Sequence, residues 1–121
     1  MNAGCNADLP NLRDSPIVMQ SDRIAASGIG TCLIQSAETV CWGLSGLKTV
    51  TPGDGSLKFV ALRGGAEHYC GLAADSTAYC WGFNIYGELG DGTRTNRDLP
   101  TRVVTTLKFV AISAGLFNTC A

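Results

Sequence analysis

Six cysteines and one histidine are the residues of this chain with the most reactive chemistry. Their spacing decides what that chemistry is. A zinc site needs cysteines or histidines two to five residues apart in matched pairs. No C-x2-C or H-x3-5-H pair occurs, and His68 stands alone. The cysteines instead bracket short segments, Cys32 to Cys41 and Cys70 to Cys80. This is the placement of bonds across a hairpin rather than of metal ligands. Cys120 repeats the position of Cys70 fifty residues on, and Cys5 has no evident mate.

Other catalytic constellations are missing. Glu67, Asp75, Glu88, Asp91 and Asp98 form no pair that reads as acid and base. No G-x-S-x-G, H-E-x-x-H or phosphate-loop spacing is visible, and Gly43 to Thr49 fails the last of these. His68, beside Tyr69 at a strand start, reads as a hydrogen-bonded structural residue. Asp54 and Asp91 sit in Gly-Asp-Gly triplets without the alternating oxygen ligands of a calcium loop, so they read as turns. The chain is read as no enzyme, with no cofactor and no metal.

The elements that hold these residues follow from a repeat. Leu57-Lys58-Phe59-Val60-Ala61 recurs as Leu107-Lys108-Phe109-Val110-Ala111, and Gly65 and Cys70 recur as Gly115 and Cys120 at the same offset. Self-similarity at a period of 20–50 residues marks a solenoid or propeller. Short apolar runs separated by turn residues mark an all-β fold. Within the unit, Phe59 to Leu62 is a strand, and His68 to Leu72 pairs with Thr77 to Trp81 across a turn at Asp75. Gly82 to Asn96 is a polar, Gly-rich loop. Pro100 precedes a last edge strand, Arg102-Val103-Val104, because proline cannot donate to a ladder. Four strands per unit select a β-propeller blade.

The organisation is therefore an N-terminal segment over 1–14 and a degenerate repeat over 15–57. A complete repeat follows over 58–107, then the start of a third over 108–121. In the first copy Ser15 to Val18 parallels the Pro100 strand, and Thr39-Val40-Cys41-Trp42-Gly43 parallels Thr77 to Gly82. The expected fold is all-β, a partial propeller of about two and a half blades of short antiparallel strands.

Register tests the cysteine pairing. With Cys70 opposite Cys80, Gly71 faces Tyr79 and Leu72 faces Ala78. With Cys32 opposite Cys41, Ile34 faces Thr39 and Ser36-Ala37 makes the turn. Opposed residues of an antiparallel pair lie close enough for a disulfide. Two cross-strand disulfides are expected, Cys32–Cys41 and Cys70–Cys80.

The run Tyr79-Cys80-Trp81-Gly82, Asn84, Tyr86-Gly87-Glu88-Leu89-Gly90-Asp91-Gly92 resembles the signature of the regulator of chromosome condensation repeat family. The resemblance covers about residues 15–121 and is strongest over 58–121. It implies a seven-bladed β-propeller that binds other proteins. Cysteines flanking the hairpin resemble the family's secreted bacterial branch and the plant crinkly-type receptor ectodomains, which implies an extracellular or cell-envelope location. The tryptophan motif of the plant ultraviolet-B photoreceptor is absent, since the place reads Gly65-Ala66-Glu67-His68-Tyr69.

Composition narrows the partners. The net charge is -1 and the pI about 5.6, with no basic stripe for nucleic acid. No run of 18 apolar residues could span a membrane. The first residues, Met1 to Asn6, lack the basic and apolar regions of a signal peptide. Trp42 and Trp81, each before a glycine, read as packing between neighbouring blades. The candidate interaction residues are Tyr86, Arg94 and Arg97, on the polar loop Phe83 to Arg97, because Tyr and Arg are favoured interface anchors. The third repeat stops in the first strand of its hairpin and leaves Cys120 unmated. The sequence thus reads as a fragment of a longer protein-binding scaffold with an unknown protein partner. The alternative is a small self-assembling propeller that associates through unpaired blade edges and carries lectin-like sites between blades.

Overall fold

The computed structural model describes residues 23–35, 38–43, 46, 48–51 and 56–121. Ten strands and no helix make up the described residues. The first sheet orders β1 (Ile24–Ser27), β2 (Gly30–Gln35), β3 (Glu38–Gly43) and β4 (Lys48–Thr49) side by side. The second orders β5 (Phe59–Gly64), β6 (His68–Ala73), β7 (Ala78–Gly82) and β8 (Arg97–Arg102) in the same way. A two-stranded sheet, β9 (Ser113–Ala114) with β10 (Thr119–Cys120), follows. Every pairing is antiparallel. Each four-stranded sheet is thus a blade in which sequence neighbours are spatial neighbours, as in a propeller.

The blades are strands because β-branched and aromatic residues alternate there between two faces. The alternation also builds the junctions. Ala25, Cys32, Ile34 and Val50 on one face of the first blade pack with Phe59, Tyr69 and Trp81 of the second. On the second blade's opposite face, Cys70, Leu72, Ala78 and Cys80 pack with Leu89 and Ile112. Trp81 stacks between Phe59 and Tyr69, with ring centroids 5.6 and 5.7 Å away. Polar ties span the same junctions: Gly28 N donates to Ala66 O at 2.6 Å, and Phe109 N to Ser76 O at 2.9 Å.

Both expected disulfides are present. Cys32 bonds Cys41 and Cys70 bonds Cys80, each with Cα atoms 4.1 Å apart. The registers are those expected, with Ile34 opposite Thr39 and Leu72 opposite Ala78. Ser36-Ala37, Ser15 to Val18, Asp54 and Cys5 lie outside the described residues.

Four expectations need correction. Cys120 is not unmated but disulfide-bonded. The last strand of the complete repeat is Arg97–Arg102, which contains Pro100 rather than following it. Pro100 is tolerated because β8 is the sheet's edge and pairs only with β7. The copy of the Phe59 strand at Phe109 is not a strand; only Ser113–Ala114 pairs in the third repeat. Finally, Trp81 is 4% exposed and packs between blades, but Trp42 is 42% exposed. Trp81 packs in the junction with the first blade and lies opposite Tyr69, whereas Trp42 lies opposite Thr31 and joins neither junction of the described residues.

Candidate functional site

The loop between β7 and β8 is organised by one buried side chain. Asn84 is fully covered. Its Nδ2 donates to Asp91 Oδ1, Thr93 O and Thr95 O, each at 3.0 Å, and its Oδ1 accepts from Leu89 N at 3.1 Å. One amide therefore ties both halves of the loop together. Gly87, Gly90 and Gly92 take positive φ angles of 78, 65 and 80°, which lets the chain turn this tightly.

Asp91 is the second organiser. Its carboxylate accepts from Arg97 Nε at 2.8 Å and from the backbone and hydroxyl of Thr93. The Asp91 side chain is only 3% exposed. Burial opposes its ionisation, but the bonds from Arg97, Thr93 and Asn84 prevail and hold it well below the usual carboxylate range. The Gly-Asp-Gly triplet is therefore a loop lock.

What this rigid loop displays is apolar. Glu88 Oε2 accepts from Tyr86 N at 2.8 Å and fixes the backbone there, while the Tyr86 ring is 68% exposed. Tyr86 meets Phe117 of the third repeat edge-on, with centroids 5.0 Å apart. Phe117, Leu116 and Ile85 are also exposed. The sequence picked out Tyr86 but not Phe117, which joins it only through the packing of successive repeats. Arg94 is exposed on the loop and Arg97 is committed to Asp91. Tyr86 and Arg97 do not meet: Arg97 lines a separate cleft.

That cleft, of about 330 Å3, lies between the first two blades. Tyr69 and Trp81 line it from the second blade, and Cys41 and Val50 from the first. Lys48, Arg97 and Asp98 bring charge to it. Lys48 Nζ donates to Asp98 O at 3.1 Å, bridging the outer strands of the two blades.

His68 belongs to neither feature. It is fully buried at the start of β6, and its Nε2 lies 3.0 Å from Thr119 Oγ1 of the third repeat. Burial lowers its pKa, against a smaller opposing pull from Glu88. Its Nδ1 has no hydrogen-bond partner. Among the described residues no group of three or more His, Cys, Asp or Glu could hold a metal ion.

Two models of the regulator of chromosome condensation (RCC1) repeat match the chain, over residues 75–121 and 59–88. The chain belongs to the RCC1 repeat family. The ultraviolet-B receptor UVR8 of Arabidopsis thaliana is 46% identical over 50 residues, which are 41% of this chain and 11% of that receptor. Human WBSCR16 superposes with a TM-score of 0.68 at 20% identity, over 77% of this chain and 28% of that one. Prp20p of Saccharomyces cerevisiae gives 0.60 at 18%, over 77% and 28%; its report concerns binding to Gsp1p and histones. The CRINKLY ectodomain of the A. thaliana receptor kinase ACR4 gives 0.53 at 26%, over 81% and 30%. The first two carry the fold alone. This RCC1-repeat chain spans less than a third of the length of each. All agree with a partial propeller of antiparallel blades.

Proposed function

We propose that this chain is a non-catalytic binding module, part of a longer RCC1-repeat propeller, that engages another protein through the β7–β8 loop. Tyr86 carries the reading: a largely exposed aromatic ring on a loop whose backbone is locked by Asn84, Asp91 and Glu88. Ordering a loop before binding removes an entropic cost that a mobile loop would meet on association. Aromatic rings on rigid frames are the usual anchors of interfaces. Arg94, exposed on the same loop, supplies a charged rim.

The family's propellers commonly mediate protein interactions, and Prp20p is a relative reported to bind proteins, which supports the reading. The disulfides favour an oxidising compartment, so an extracellular or cell-envelope location is part of the proposal. Exposed Leu107 and Val110 beside the two-stranded sheet also suit association with a second copy. A discrete oligomer in native mass spectrometry is the signature of that assembly.

Exchange of the exposed loop residues Tyr86 and Arg94 for serine tests the loop. Partner capture from the source organism's extracellular fraction should be lost, with near-ultraviolet circular dichroism still native. Undiminished capture would contradict the reading.

A further inference from the structure

We infer that the cleft between the first two blades is a second recognition site, taking an apolar side chain flanked by carboxylates on an extended peptide. This deepens the protein-binding reading and rests on it. The cleft is the right size for one side chain or small ligand, since such sites begin near 300 Å3. Its lining is unlike the exposed loop patch. Tyr69 and Trp81 are held by stacking on one side, and Cys41 is fixed by its disulfide on the other. Neither wall needs to reorganise on binding.

Two glycines at strand ends let neighbouring backbone approach closely beside the cleft. Gly43 and Gly82 close β3 and β7 with φ angles of 149 and 109°. A Cβ on Gly82 would lie 2.7 Å from Glu67 O, so a side chain cannot be added there without moving backbone. Both glycines line the cleft.

Charge selects the ligand class. Lys48 donates one hydrogen bond to a neutral carbonyl, and an ammonium has three donors. Arg97 also lines the cleft, but its charge is paired with Asp91, so Lys48 is the cation with donors to spare there. A carboxylate beside the inserted side chain would meet the remaining donors of the Lys48 ammonium at the rim. The faces of Trp81 are already taken by Phe59 and Tyr69. Trp42, 42% exposed, lines the cleft as well and is the aromatic surface left for an inserted side chain.

Isothermal titration with acetyl-Glu-Asp-Phe-Asp-Glu amide, followed by amide NMR, tests the assignment. Binding should weaken at least about tenfold when Phe is replaced by Ala in the peptide, and likewise in K48E and in the cleft-filling V50W. The all-Lys counterpart should bind wild type weakly and K48E better. Shifts should concentrate at Lys48, Val50 and the Trp81 indole. Equal affinity for acidic and basic peptides, unchanged affinity in both variants, or no heat and no shifts at about 1 mM peptide would each overturn the site. K48E changes an exposed side chain, so it reports even if V50W fails to fold. A chain that ignores the peptide yet loses its partner on exchange of Tyr86 and Arg94 would overturn the cleft alone and leave the loop reading intact.

Discussion

His68 shows how one side chain couples two repeats. Its ring bonds Thr119 from the third repeat while its other nitrogen sits buried without a partner. Burial is the larger influence on its pKa and lowers it, so the folded chain holds His68 neutral. The unfolded chain takes up a proton near its ordinary pKa of about 6.5. Unfolded molecules then bind more protons than folded ones as pH falls, and stability must drop. Thermal melting should therefore shift downward below about pH 6.5, and H68Q should flatten this dependence. An unchanged slope in H68Q would assign the pH effect to other groups. The residue scale was only partly legible in the sequence. The reading of His68 as a hydrogen-bonded structural residue agrees with its bond to Thr119. Its contact with Thr119 could not be read, because it joins residues 51 apart across two sheets. Tyr86 was visible as a favoured anchor type; Phe117, its edge-on neighbour, was not.

At the scale of elements, the hairpins were the most legible part. An antiparallel pair has a constant index sum, so placing Cys70 against Cys80 fixed every other partner in β6 and β7, as found. The first hairpin obeyed the same arithmetic. Prediction failed where an edge relaxes the rule. Pro100 sits inside β8 because only one side of that strand is paired. Trp42 escaped the packing expected of it because, unlike Trp81, it joins neither junction between the described blades. Each disulfide closes only a small loop, so its chain-entropy contribution is about 2–3 kcal/mol. The paired substitution C70S/C80S should lower stability by that order in a denaturant titration. It should do so more than C32S/C41S, because both sulfurs of Cys70–Cys80 are fully buried in the second junction while Cys41 is only partly covered. Equal and negligible losses would show that packing alone holds the hairpins.

For the whole molecule, the repeat specifies a frame and the loops specify what it binds. The 50-residue period fixed the blades before any geometry was known. The cleft was beyond its reach, since it depends on how the outer strands of two blades lie side by side. The same frame brings one group of exposed apolar residues, Ile85, Tyr86, Leu116 and Phe117, onto two neighbouring turns. The turn joining β9 to β10 and the β7–β8 loop open beside each other, where Tyr86 meets Phe117. The turn at Asp75 closes the opposite end of β6 and β7, its carboxylate held below the usual range chiefly by Thr77. The central claim is that binding is confined to the loop end. Photo-crosslinking from p-benzoylphenylalanine at positions 86, 94 and 74 tests it directly, with position 74 reporting on the Asp75 turn. The account predicts adducts with one other protein from positions 86 and 94 and none from 74. Equal adducts from all three positions, or adducts from 74 alone, would contradict it.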